Sequence, residues 1–389
     1  MSHARSSFSA ILISSIAALI LASGCTDNTT PAAPSREPGS IEQVPPDVQK
    51  QIDELQAITA SPDRGFDHWI TLTAKHHPVV LPAGSVDALA AAIAAAGNNG
   101  MVILETGDHT ENGTVTVTST VKIVGQTGAV LKSGLSFSND TPEPAEPAIH
   151  VLGARGVVIT NIDFQPVSGV ANTGVLLEQS PRSIVLGNTF THFQLSILLH
   201  YSDSSTILGN TVVSAQGGDV VESDGIINMN GNDVRIVGND VSNGLLGIFC
   251  SGTKGYYLFN TTHENFVGVI LCKVPEGALL LPGGDIVGSD VSAKNWLAQG
   301  NHASNNAYAG YLVIDGANNN LLVNNDGSGN GAYDMELLGE TCLFGFSTPT
   351  SFDNTVVASN TSMTINDFGQ NNRIFGTTTV THDITVPCP

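Results

Sequence analysis

One phrase recurs along the chain and restricts its fold more than any other feature. Short apolar alternation runs into Gly or a small residue, then Asn, then another short apolar stretch. It reads VVITNIDF around Asn161, IVLGNTF around Asn188, TILGNTVV around Asn210 and RIVGNDV around Asn239. It returns as YYLFNTT around Asn260, LAQGNHA around Asn301, LLVNNDG around Asn325 and VVASNTS around Asn360. Successive Asn residues lie 27, 22, 29, 21, 41, 24 and 35 positions apart, and the two long intervals mark insertions near 273–295 and 338–352. A period in the low twenties with no helical pattern between the strands does not fit a βαβ array. It predicts an all-β parallel solenoid whose coils each carry two or three short strands and stack on the coil before. The recurring Asn is expected to take left-handed dihedrals at the turn between strands, and to bond along the axis where coils stack.

Composition agrees. Glycine is abundant at 41 residues and aromatics are scarce at 6%. Such a chain is short of helix formers and rich in turn formers and β-branched residues. With 14 basic against 35 acidic residues the net charge is −21. That balance lacks the basic footprint of a nucleic-acid binder and of a polybasic membrane-surface protein.

The N-terminus reads as an export signal. Arg5 is the only full charge before an apolar run from Ala10 to Ala22, which ends Leu21-Ala22-Ser23-Gly24-Cys25. The run is too short for a spanning helix and has the n-region, h-region and small-residue end of a secretory signal. It resembles a bacterial lipoprotein signal, which implies acylation of Cys25 and anchorage at the outer membrane or cell surface. The departure is Ala22, where that family prefers Leu. The chain therefore divides into a signal (1–24), a Pro/Thr/Ser-rich tether (25–46), an extension packing on the solenoid (47–84) and the solenoid with its C-terminal tail (85–389). A short amphipathic helix is expected in the extension, with Val48, Ile52, Leu55 and Ile58 on one stripe.

Residues 80–382 resemble the right-handed parallel β-helix superfamily, which includes pectate lyases and polygalacturonases. The resemblance implies about ten coils behind a short N-terminal capping helix. Ser85-VDALAAAIAAA-Gly97 supplies that helix, with Ser85 as N-cap, Val86, Leu89, Ile93 and Ala96 along one stripe, and Gly97 as stop. Two cysteine pairs remain, and an exported chain permits disulfides. Cys342 and Cys388 are expected to tie the tail to the last coil. Cys250 and Cys272 lie about one coil apart, but aligning GIFC with GVILC puts their sulfurs on opposite faces unless a bulge intervenes.

In this superfamily function usually sits on the outer face of one parallel sheet. Here that sheet is assigned to 174–179, 196–201, 225–230, 247–252, 268–273, 310–315 and 332–337. With Val175, Ile197, Ile226, Ile248, Val269, Tyr311 and Tyr333 inward, Leu176, Leu198, Ile227, Phe249, Ile270, Leu312 and Asp334 point out. Glu178, His200, Met229, Ser251, Cys272, Ile314 and Glu336 point out two positions later. This face is too aliphatic for an open polyuronate groove, which needs cations, and is expected to be covered by the N-terminal segment, the 273–295 insertion or a partner.

Glu222-Ser223-Asp224-Gly225 is similar to the Asn-Thr-Asp-Gly stretch of polygalacturonase-type hydrolases, but Leu245-Leu246 stand where that family's Asp pair belongs. A polysaccharide- or envelope-binding module is therefore the leading reading, and a polysaccharide lyase, epimerase or hydrolase the alternative. For the enzyme the candidate residues are Asp224, His200 and Lys273. Asp219, Glu222 and Asp224 are oxygen donors grouped as a calcium site would need, against the reading of a solvated acidic loop.

Overall fold

The computed structural model describes residues 78–137, 143–215, 223–274, 276–339, 349–358, 362–376 and 378–382. Three long sheets of 12, 9 and 11 strands (A, B and C) run side by side along the chain's path. One coil shows how: Ile184–Leu186 joins sheet A, Thr189–Thr191 sheet B and Phe193–His200 sheet C. The next coil repeats the order and pairs in parallel register, Val185 with Ile207, Phe190 with Val212 and Ile197 with Ile226. About eleven such coils, at about 4.8 Å per layer, make a rod of roughly 50 Å. The expected parallel β-helix is present.

The middle residue of each short strand points into the rod. In sheet A these are Val185, Ile207, Ile236, Tyr257, Ala298, Leu322 and Val356, all buried in one continuous core. Phe164 and Phe190 stack inside it with ring centroids 4.6 Å apart. Burying each such side chain is worth about 1.5–3 kcal/mol, and stacking makes the core continuous from coil to coil.

The corners follow one rule that the sequence only half revealed. The ladder Asn does not itself take left-handed dihedrals; the residue before it does. Gly187, Gly209, Gly238 and Gly300 have φ of 59–61°, and Phe259 and Asn324 have 53° and 50°. Each following Asn stays in ordinary backbone and points its amide along the rod. Asn188 Nδ2 donates to Asn210 Oδ1 (3.1 Å), Asn210 to Asn239 (3.0 Å) and Asn239 to Asn260 (2.9 Å). Asn260 donates to Asn301 (3.1 Å) and Asn301 to Asn325 (2.8 Å). Asn161 is the exception: it occupies the left-handed place at φ 56°, so Ile162 takes the ladder position. Asn360 lies outside the described residues.

Two further ladders turn the other corners, Asn265–Asn306–Asn330 between sheets B and C and Asn320–Asn354–Asn372 between C and A. Each of these Asn residues also follows a left-handed residue. The division of labour is physical. The turn needs one residue with φ above zero, and the buried amides of the coil before need an acceptor, which an inward-turned amide side chain supplies.

The capping helix spans Leu89–Ala96 and buries Leu89, Ala92, Ile93 and Ala96. Gly97 ends it at φ 69°, its amide donating to Ile93 O, as expected. Its start differs from the expectation. Ser85 is not the N-cap, since its hydroxyl donates to Pro82 O, and Val86 is 59% exposed. Glu111 from the strand Gly107–Glu111 does the capping, with Oε1 accepting Ala88 N–H (3.0 Å) and Leu89 N–H (2.8 Å). A long-range carboxylate thus replaces the local hydroxyl, which no local pattern could show. Glu111→Ala is expected to cost about 1–2 kcal/mol, read as a lowered denaturation midpoint.

Cys250 and Cys272 are free, buried thiols, so the bond left open above does not form. Cys250 pairs in register with Leu271, placing Cys250 in the core and Cys272 in an outward cluster. Burial pushes both thiols up. Cys25, Cys342 and Cys388 lie outside the described residues.

Candidate functional site

Sheet C carries the face singled out above. Val175, Ile197, Ile226, Ile248, Val269 and Tyr311 do point inward. The last strand is two residues out of place: Tyr311 pairs with Met335 and Leu312 with Glu336, so Met335 and not Tyr333 is the core residue. Glu336 keeps the outward face, whereas Asp334, expected outward, lies over Gly327, the partner of the core residue Ala303.

The outward aliphatic side chains are covered by the protein itself. Leu176, Leu198, Ile227 and Met229 form a buried cluster with Ala145, Val274, Leu279 and Leu281. The 273–295 insertion makes this cover. Its strands Leu279–Leu280 and Ile286–Val287 pair antiparallel, and Leu279–Leu280 pairs parallel with Glu143–Pro144. Polar contacts fasten its return to the rod. Ser289 Oγ accepts Val274 N–H (3.1 Å) and donates to Ser251 Oγ (2.6 Å), and Asn230 Oδ1 accepts Asp290 N–H (2.7 Å).

At the edge of this cover, chemistry-bearing groups converge. His150 Nε2 and Glu178 Oε2 lie 2.8 Å apart, with side chains 5% and 11% exposed. Glu178 is paired in register with His200 on the next coil. The His200 ring is 4.6 Å from that of Tyr201, and its buried Nδ1 has no hydrogen-bond partner. Burial holds His200 below the ordinary imidazole range, opposed by the charges of Glu178, Asp290 and Asp285. It is therefore a neutral imidazole near pH 7. The Tyr201 hydroxyl donates to Asp290 Oδ2 on the cover, and this bond, with burial second, pushes the phenol up to about 12. Tyr201 is thus a donor and an apolar face, not a base.

Tyr201 is also held at a conformational cost. It occupies the left-handed corner at φ 48°, where the neighbouring coils use Gln179, Asn230 and Gly252. A bulky residue there costs about 1 kcal/mol or more. It is 40% exposed, with its ring against His200 and its hydroxyl on Asp290.

A family model for the right handed beta helix region matches residues 100–267 and 147–326. The chain belongs to the right handed beta helix family. No curated protein matches it. Among solved structures, the ORF18 protein of Geobacillus virus E2 is similar at a TM-score of 0.50 and 13% identity. That likeness covers 87% of this chain but only 64% of the viral protein's length. The Streptococcus pneumoniae surface adhesin PfbA is similar at a TM-score of 0.50 and 11% identity, over 76% of this chain and 87% of that one. The A-module of the Azotobacter vinelandii mannuronan C-5 epimerase AlgE6 is similar at 0.44 and 15%, over 81% and 100%. At such identities the likeness is one of fold.

Within this beta helix the three residues assigned to an enzyme are not gathered. Asp224 heads the strand Asp224–Met229, and its Oδ1 accepts Leu246 N–H at 3.2 Å. It stands five residues along the strand from the level of His200, roughly 17 Å away. Lys273 is exposed, three coils from the Tyr201 corner, roughly 14 Å. Asp219 and Glu222 of the calcium reading lie outside the described residues. Among the described residues no group of three or more His, Cys, Asp and Glu is placed to hold a metal, and no helix is long and apolar enough to cross a membrane. His150, Glu178, Tyr201 and Asp290 were missed as a group. Part of the signal was available: Glu178 and His200 are 22 residues apart, one clean repeat interval, and Tyr stands where other coils place turn formers.

The charge of Lys273 bears instead on Asp315. Burial raises the Asp315 carboxyl to about 6, against the pull of Lys273. A carboxyl raised on folding holds its proton more tightly in the folded state, so stability falls as pH rises from about 4 to 6 and stays lower above. Asp315→Asn removes this penalty, which is at most about 3 kcal/mol. The variant is expected to melt higher than the parent at pH 8 and at the same temperature at pH 4.

Proposed function

We propose that this beta helix protein is exported, held at a bacterial envelope through lipidated Cys25, and binds polysaccharide at the rim formed by Tyr201, His200 and Asp290. The observation that carries the reading is Tyr201. An exposed aromatic ring, kept in a costly backbone conformation and steadied by Asp290, is a platform for the C–H face of a sugar, with carboxylate and imidazole beside it for hydroxyls. The outer face of sheet C is filled here by the chain's own hairpin, which leaves the rim as the contact surface. Membrane attachment is through the lipid alone, and nucleic acid is not a partner.

The convergence of His150, Glu178 and neutral His200 favours a second reading, acid–base chemistry on the bound sugar. No Lys or Arg is among the charges that bear on His200. β-Elimination or epimerisation of a uronate would lack its neutralising group there.

The test is a glycan array with reducing-end and unsaturated-product release measured on the same panel, using the full chain and Tyr201→Asn. Binding without turnover is expected. Tyr201→Asn should weaken it at least tenfold while the melting temperature holds or rises, because Asn accepts the left-handed corner. Product release abolished by His200→Ala would replace binding with catalysis. Absence of binding to every glycan would end the reading.

A further inference from the structure

We propose that the sugar seated against Tyr201 is a cationic amino sugar, a polymer of hexosamine with free amines, and not a neutral or uronic-acid glycan. This rests on the glycan-binding reading above and names the ligand class of the same rim. Three observations bear on it. First, the charges placed beside the ring are acidic: Asp290 accepts the Tyr201 hydroxyl, and Asp285 on the same hairpin bears with it on the adjoining His200. Glu178 stands behind them, engaged with His150. Second, the His200 imidazole against the Tyr201 ring is held neutral by burial and adds no positive charge, and its Nδ1 is buried without a partner in a side chain 5% exposed. A buried unpaired nitrogen beside an open rim is a polar atom whose partner is not supplied by the fold. Third, a phenol ring flanked by carboxylates is suited to an ammonium, which gains from the ring face and from the charges together, whereas a uronate meets repulsion from both. The net charge of −21 draws such a ligand in from a distance.

An acidic protein attracts any polycation, so the test uses short defined oligosaccharides and separates local from long-range attraction. Binding of the full chain to a glucosamine hexamer, an N-acetylglucosamine hexamer and a galacturonate hexamer is measured by calorimetry at low and at moderate salt. The glucosamine hexamer is expected to bind at least tenfold more tightly than the acetylated one, with no galacturonate binding. Asp290→Asn and Asp285→Asn should each erase most of that preference. Asp353→Asn, an equal change of charge at an exposed left-handed corner about five coils away, should leave it intact. Equal binding of the two hexosamine hexamers, or preference for galacturonate, would overturn the amino-sugar assignment and leave glycan binding standing. A glucosamine preference as sensitive to Asp353→Asn as to Asp290→Asn would reduce it to bulk charge and overturn it too. Failure of all three hexamers and of every array glycan would remove the glycan reading itself.

Discussion

Asn239→Ala is expected to lower stability by about 4 kcal/mol, a large loss for a single amide on a turn. Asn239 is 1% exposed and stands mid-ladder. Its Oδ1 accepts both the backbone N–H of Asn210 (2.9 Å) and the side-chain amide of Asn210 (3.0 Å). Its Nδ2 donates to Ile207 O at 3.0 Å. Truncation takes the acceptor from the buried Asn210 N–H and from one hydrogen of Asn210 Nδ2, which keeps its bond to Val185 O, and removes a donor to Ile207 O; each lost buried bond costs about 1–3 kcal/mol. Asn260 Oδ1 keeps one donor, the backbone N–H of Asn239, so the damage runs mainly toward the preceding coil. Urea denaturation would show a lower midpoint. Asn188→Ala, at the head of the ladder, takes an acceptor from only one donor of the preceding coil, the Ile162 N–H, and should cost clearly less. Equal losses at both sites would mean that the ladder is not the source.

Gly247→Ala is expected to prevent soluble folding or to cost more than 3 kcal/mol. Gly225, Gly247, Gly268 and Gly310 stand on successive coils where sheet C turns in from the corner. A Cβ on Gly247 would come 2.4 Å from Gly268 O and 3.0 Å from Asn265 Nδ2. Both obstacles are fixed, one being backbone and the other a rung of a ladder. The coil would have to lift off its neighbour, as in the severe cases of overpacking. Gly113→Ala, which meets nothing within 4 Å, is the matched control and should leave the midpoint unchanged within about 1 kcal/mol. If the two substitutions behaved alike, close coil approach would not be what selects glycine here.

The architecture was legible because it is repeated. Each interval of 21–29 residues between Asn188 and Asn260 states the same coil, and errors average out over copies. The role of the repeated Asn was less legible. Sequence pairs Gly with Asn but does not say which takes the left-handed turn, and Asn161 sat in the wrong register because its neighbour Ile162 holds the ladder place. The site was less legible still. His150, Glu178 and His200 come from three consecutive coils, and Asp290 reaches them from a hairpin some ninety residues beyond Tyr201. Nothing local marks such a meeting. The Asp224 motif, conversely, reads locally like a catalytic stretch, yet its carboxylate serves the next coil's backbone.

The hairpin has one further consequence. It enters between two rungs that remain bonded as if it were absent: Asn260 still meets Asn301 at 3.1 Å across a 41-residue interval. The rod is indifferent to how much chain leaves and returns at that corner. Evolution can therefore lengthen, shorten or exchange the segment that carries Asp285 and Asp290 without renegotiating the scaffold. Ligand preference can drift quickly in descendants whose backbone barely changes.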